Sequence, residues 1–252
     1  MSDDRVIRRL IELLQRRFTS EGIQSQDKLL ELIEQVILAD TDDFLELTRI
    51  AGLSPLESYA GQNLIGVSFD RKDLARADFS NSDLIRASLV EAELSSANLS
   101  NVDLTHAFLA RAKLTSANLS GANLTSVDLS GADLTNANLN NAILKMADLS
   151  DAYCYCASIR YSDLTGAALH RVRFEEANLS STVFRRANLS SANLQGANLF
   201  GTNFSGATLY RVNFHDASLD GATVDGAYFG NNPGMTREMR RALSRRGAIF
   251  ED

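Results

Sequence analysis

The chain has 252 residues and a formal net charge of −7, with no tryptophan, two prolines and two cysteines. Nothing in it approaches the roughly 18 consecutive apolar residues of a membrane-spanning helix, and interspersed charges of both signs exclude a nucleic-acid-binding stripe, so neither a membrane nor a direct nucleic-acid partner is expected. The N-terminus is broken by charge throughout and lacks the apolar core of a secretory signal, which with so few cysteines makes a reducing cytoplasm the expected compartment.

Residues 1–61 carry 12 acidic and 7 basic side chains and read as a small helical domain. Val6, Ile7, Leu10, Ile11, Leu14 and Phe18 fall at helical spacing, as do Leu29, Leu30, Ile33, Val36 and Ile37, then Phe44, Leu45 and Leu47. Asp3, Thr41 and Ser54 suit N-caps, and Ser54-Pro55-Leu56-Glu57 is a capping box with proline at the first helical position. The apolar faces need burial, and covering whatever follows at Leu64, Phe69, Leu74 and Phe79 is the expected role. A dimer interface or docking surface is the second, and the two are compatible.

From Gln62 to Asn231 the chain falls into 34 pentads without a register break. The third residue is Leu or Phe in 31 of them, the exceptions being Cys154, Ile159 and Val224. The first is Ala or Val in 28, with Gln62, Lys72, Ser82, Ser162, Thr182 and Thr202 departing. Neither an α-helix nor a continuous strand keeps a five-residue period on one face. The pattern works when residues one and three of each pentad point inward on a short extended segment and the chain bends over the other two. Repeated bending makes a coil with a stacked interior, to which Leu124, Leu129, Leu134, Leu139, Cys154 and Phe174 contribute, and each coil pairs with the next about 4.8 Å away. Such a solenoid is stabilised by neighbour contacts and needs caps.

The stretch "ANLSGANLTSVDLSGADLTNANL", Ala117 to Leu139, strongly resembles the A(D/N)Lxx motif of the pentapeptide repeat family, and the resemblance covers about two-thirds of the chain. It implies a mainly β fold: a right-handed, four-sided (quadrilateral) parallel β-helix with four pentads per coil. On that basis the 34 pentads make about 8.5 coils, a rod of about 40 Å.

Residues 232–252 close the chain with five arginines and three acids. Pro233-Gly234 stops the repeats, and Met235, Met239 and Leu243 line one face of a final helix. Arg240, Arg241, Arg245 and Arg246 cover its solvent side and late turns, Gly247 fits a C-cap, and "AIF" is apolar enough to fold back on the last coil. "RRALSRRGAIF" resembles the closing element of cyanobacterial members of the family.

Catalytic constellations are absent, and no enzyme activity, cofactor or metal is expected. His106, His170 and His215 fall on three different faces in a twenty-residue coil. Carboxylates spaced along a convex rod have no cleft in which to shift a pKa. Cys154 stands inward in place of a leucine, between Leu134 and Phe174, while Cys156 follows the bend and points outward. One sulfur inside and one outside cannot chelate or bridge without strain.

The departures from the polar ladders concentrate between residues 143 and 186. Met146, Tyr153, Tyr155, Arg160, Tyr161, Arg173, Arg185 and Arg186 are the candidate protein-binding residues, since exposed aromatics beside arginines have the composition of binding hot spots. Tyr153 is expected one coil below Arg173, within reach of a cation–π contact. The leading reading is a non-catalytic interaction or scaffold rod with an unidentified protein partner and a possible homodimer through a terminal helical region. The resemblance also implies an alternative, since family members that confer quinolone resistance bind DNA gyrase as DNA mimics. Here the repeat region nets only −4, and thirteen basic residues interrupt its acidic columns. A thiol redox sensor at Cys156 is the third reading.

Overall fold

A computed structural model describes residues 10–12, 14–15, 26–39, 44–51 and 59–251. The expected caps at Asp3, Thr41 and Ser54–Glu57, and the apolar positions Val6, Ile7 and Phe18, lie outside these residues. Among the described residues, 10–12 and 14–15 are helical, and two helices with full bounds follow before the repeats, α1 (Gln26–Leu38) and α2 (Phe44–Ile50).

The repeat region is a stack of parallel coils in which pairing residues are twenty apart: Asp83 pairs with Asp103, that with Asn123, and that with Ile143. Four pentads therefore complete one coil, each forming one side, with the sides starting at Gln62, Val67, Lys72 and Ala77. The backbone accounting explains why five residues suffice. In the pentad from Ala122, Asn123 N donates to Val102 O below (2.9 Å), while Leu124 N and Ser126 N donate to Ile143 O (2.6 Å) and Lys145 O (2.8 Å) above. Val127 N then closes the turn onto Leu124 O (3.2 Å). The remaining amide, Thr125 N, is capped by the Asn123 side chain at 3.3 Å. Asn and Asp recur at the second position because their short acceptors fold back onto the amide two residues on; Asp78, Asp103, Asp128 and Asn178 cap the same way.

The turn requires its third residue to be left-handed, as in a type II turn. Every fifth residue from Gly61 to Asn231 has φ between 52 and 71°, and most of these are not glycine. Each non-glycine there costs on the order of 1 kcal/mol, offset by the turn bond and the bonds to neighbouring coils.

The interior is a continuous column of first- and third-position side chains. Leu124, Leu129, Leu134 and Leu139, one from each side of a coil, are all fully buried. The geometry begins one turn earlier than the sequence register: Gln62 N closes a turn onto Tyr59 O (3.2 Å), and Tyr59 stacks on Phe79 at 4.9 Å between ring centroids. Leu10, Leu14, Val36 and Leu47 belong to the same apolar cluster as Leu64 and Phe69. α1 departs from its expected single apolar face: Leu29, Leu32, Ile33 and Val36 pack inward, whereas Leu30 and Ile37 are exposed.

All first-position departures except Lys72 stack on one side. Ser82 and Thr202 donate to carbonyls three residues back, Phe79 O (2.5 Å) and Leu199 O (2.8 Å). Ser162 and Thr182 donate to the coil below, at Leu139 O (2.7 Å) and Ile159 O (2.5 Å). Their hydroxyls are buried but satisfied, which is what makes them tolerable.

At the other end β1 (Thr208–Tyr210), β2 (Tyr228–Gly230) and β3 (Ile249–Phe250) form a parallel sheet in that order. β3 is "AIF" laid back on the last coil. Between β2 and β3 runs α3 (Arg237–Ser244), N-capped by Thr236, whose hydroxyl accepts from Met239 N (3.1 Å). Leu243 is buried, Met235 and Met239 are partly so, and Arg240 lies over the Phe250 ring at 4.9 Å. The C-cap is Arg245, and Gly247, two residues beyond it at φ 87°, turns the chain into β3.

Candidate protein-binding surface

The twenty-residue register distributes the eight candidate residues over three sides. Tyr153, Tyr155 and Arg173 share the third side. Arg160 and Tyr161 close the fourth side of the same coil, and Met146, Arg185 and Arg186 lie on the first. They encircle the rod, and the compact group is the one on the third side.

There the pairing places Arg173 directly above Tyr153, with its guanidinium carbon 5.3 Å from the ring centroid. Arg173 Nε donates to Glu175 Oε1 at 3.1 Å, and the same oxygen accepts from Asn193 Nδ2 at 2.8 Å. Glu175, which falls within the 143–186 stretch but outside the eight candidates, thus holds the arginine in place over the tyrosine. Tyr153 and Tyr155 are 47% and 50% exposed. The bond with Cys156 holds the Tyr155 hydroxyl above the ordinary tyrosine range.

On the fourth side Arg160 lies 5.2 Å from the Tyr161 ring centroid, and its Nη2 donates to the Tyr161 hydroxyl at 3.3 Å. Its amide is held by Asn140 Oδ1 at 2.9 Å, which replaces the missing second-position cap. On the first side Met146 reclines over Gly166, where an added Cβ would lie 2.6 Å from its sulfur. Arg185 and Arg186 are exposed and make no ion pair among the described residues.

Elsewhere the charged side chains pair along the rod. Glu91 sits between Arg111 (2.7 Å) and Arg71 (3.2 Å), whose hydrogen bonds hold its carboxyl below the usual range. Arg171 grips Asp151 through two contacts of 2.6 Å, and its hydrogen bond lowers the Asp151 pKa. Lys113 meets Glu93 at 3.2 Å within the column Glu93–Lys113–Asp133. These pairs are exposed and individually worth little, but they interrupt any continuous acidic face.

Both cysteines are free, Cys154 buried and Cys156 exposed. Burial pushes the Cys154 thiol far above the ordinary range, with Asp133 and Glu175 adding to it. Iodoacetamide is accordingly expected to alkylate Cys156 in the native protein and Cys154 only after unfolding. Peptide mass mapping that finds both thiols modified at one rate would contradict this placement. Among the described residues no three His, Cys, Asp or Glu side chains converge as metal ligands, and no helix is long and apolar enough to cross a membrane.

Residues 60–231 match the model described as pentapeptide repeats, in overlapping segments from 60–95 to 197–231 with 8 copies. The chain belongs to the pentapeptide repeat family. Its coils are those of a right-handed β-helix solenoid. Among solved structures this pentapeptide repeat protein is similar to HetL, involved in heterocyst differentiation regulation in the cyanobacterium Nostoc sp. strain PCC 7120, at 29% identity over 85% of this chain and 98% of that one, with a TM-score of 0.35. It is similar to Rfr23 from the cyanobacterium Cyanothece 51142 at 25% identity over 48% of this chain and 90% of that one (TM-score 0.25). QnrB1, a plasmid-mediated fluoroquinolone resistance protein, matches at 17% identity over 73% of this chain and 96% of that one (TM-score 0.44). No curated protein matches the chain.

Proposed function

We propose that this pentapeptide repeat protein is a non-catalytic interaction module. It is a rigid four-sided rod, closed by the helical domain of residues 1–61 at one end and by residues 232–252 at the other, and it presents side chains on a fixed grid to a protein partner.

The observation that carries this reading is the Tyr153–Arg173–Glu175 group with Tyr155 beside it. At Ile143, Tyr153 and Arg173 the second position carries no carboxamide or carboxylate to cap its turn, a feature worth about 1 kcal/mol elsewhere in the ladder. At Tyr153 and Arg173 the chain forgoes that stabilisation in consecutive coils and gains a half-exposed aromatic ring and a pre-positioned guanidinium. Tyrosine and arginine dominate the energetics of protein interfaces, and side chains already fixed by neighbours lose little entropy on binding. The convex surface and the paired carboxylates support a role without catalysis. The remaining candidates, Met146, Arg160, Tyr161, Arg185 and Arg186, extend the girdle around the rod.

Capture from the source cell with the intact protein and with Tyr153→Ala/Tyr155→Ala/Arg173→Ala tests this. The triple variant is expected to keep the β-helix circular dichroism and to lose at least one partner. Retention of every captured partner by a folded variant would remove the third side from the binding surface.

A further inference from the structure

Helix α3 has two unlike faces. Met239 and Leu243 pack inward, with Arg246 beside them at the cleft that α3 forms with Leu219 and Asp220 of the last coil. The other face is arginine. Arg237, Arg240, Arg241 and Arg245, with the small Ser244 among them, line an exposed hollow of about 350 Å³. Their spacings of three, four and eight residues make one continuous helix face, about 12 Å from end to end.

The fold does not need this charge. Arg237 stands in the first turn, where the helix dipole disfavours a cation. Arg237 with Arg241, and Arg241 with Arg245, are like-charged pairs at the spacing of four that weakens a helix. Arg237, Arg241 and Arg245 are exposed and make no ion pair among the described residues, whereas Arg71, Arg111, Arg171 and Arg173 all pair with acids along the rod. Acids are close by in the sequence, since residues 212–231 hold three aspartates and no lysine or arginine. One of them, Asp220, lies on the cleft side of α3 instead. The support is firm: Thr236 caps the helix, and Arg240 lies over the Phe250 ring at 4.9 Å.

We propose that the arginine face of α3 docks an acidic helical segment of a partner protein. Carboxylates three and four residues apart on a helix repeat at about 6 Å, the spacing of the arginines that would face them. A guanidinium takes a carboxylate through two parallel hydrogen bonds, which favours arginine over lysine at such a contact. A nucleic acid fits this surface worse. Its affinity comes from neutralising many phosphates along a strand, and beyond this short face lie the aspartates of the last coil, on a chain of net charge −7. The surface is at the end of the rod, apart from the third-side tyrosines, and the inference does not rest on them.

Fluorescence anisotropy with the full chain tests this, using three labelled probes. One is an alanine-rich helical peptide with glutamates at spacings of three, four and seven; the second carries glutamine at the same positions; the third is single-stranded DNA of equal charge. The glutamate peptide is expected to bind at least about tenfold more tightly than either of the others, and to weaken as salt is raised. Arg237→Gln/Arg241→Gln/Arg245→Gln should lower that affinity at least about tenfold, while Arg246→Gln, on the cleft side, leaves it unchanged. The triple variant relieves like-charge contacts, so its circular dichroism and melting should hold. Equal binding of the two peptides overturns the proposal. So does a folded triple variant that keeps its affinity, or an equal loss in Arg246→Gln, either of which would mean that charge elsewhere on the chain attracts the peptide. Tighter binding of the DNA, lost in the triple variant, would make the face a phosphate reader and overturn it as well.

Discussion

Phe184→Ala is expected to lower the unfolding free energy by about 3–5 kcal/mol, among the largest effects of a single truncation in the rod. Phe184 occupies a third position with no exposed surface. Its ring stacks on Phe204 at 5.2 Å and 8° and meets Phe174 edge-on at 6.3 Å and 64°. Phe204 lies one coil above on the same side, and Phe174 comes from the side opposite. The three rings therefore bridge the interior both across and along the rod. Removing the middle one leaves a void that stacked backbones cannot close, because inter-coil hydrogen bonds such as Phe184 N to Asn203 O (2.7 Å) fix the coil spacing. In a solenoid each coil touches only its neighbours, so the loss should appear in hydrogen exchange first at the coils containing Phe174, Phe184 and Phe204. Urea titration and exchange measure the two parts. A loss under about 1 kcal/mol would mean that the column repacks and that aromatic stacking contributes little.

Gly234→Ala is expected to destabilise the C-terminal closure by at least about 2 kcal/mol, strain and steric conflict combined. Gly234 has φ 79°, and an added Cβ would lie 2.4 Å from His215 N and 2.6 Å from the carbonyl carbon of Phe214. Both are backbone atoms of the last coil and have nowhere to go. Phe214 N donates to Pro233 O at 2.8 Å. One residue earlier Asn232 Nδ2 donates to Leu209 O (2.6 Å) and Val212 O (3.2 Å), while its Oδ1 accepts from Gly230 N (2.8 Å). The junction that directs the chain into α3 is thus locked by the two residues that precede the glycine. Gly226→Ala is the matched control: φ is 64°, and nothing lies within 4 Å of an added Cβ. It should cost no more than about 1 kcal/mol, since only the left-handed conformation is penalised and the unfolded chain also loses freedom. Exchange in β2, α3 and β3 should rise for Gly234→Ala and stay unchanged for Gly226→Ala. Equal effects would mean that closure at this junction does not depend on the close approach.

The sequence determined the solenoid. Leu or Phe at 31 of the 34 third positions and Ala or Val at most first positions leave no arrangement of standard helices or strands that buries them together, so a five-residue bend repeated in one direction is the solution. It also placed Cys154 inside and Cys156 outside, because position within the pentad sets the direction of each side chain; Arg173 above Tyr153 needed in addition the four-pentad coil that the family resemblance implies. The twenty-residue coil had a signal that went unread: Gln62, Ser82, Ser162, Thr182 and Thr202 differ by multiples of twenty. Ser82, Ser162, Thr182 and Thr202 are tolerated there because each buried hydroxyl finds a neighbouring carbonyl.

What only the tertiary structure decided lies where the pattern is not periodic. That Tyr59 already occupies a core position depends on its stacking against Phe79, and no local spacing records that. The splitting of the α1 apolar residues into inward and outward stripes depends on which face the coils cover. The grip of Glu175 on Arg173 depends on side-chain reach between adjacent positions and across a coil. A repeat fixes the direction of every side chain from local geometry; the partners of each, and the surfaces left uncovered at the ends, follow from contacts between residues far apart in the chain.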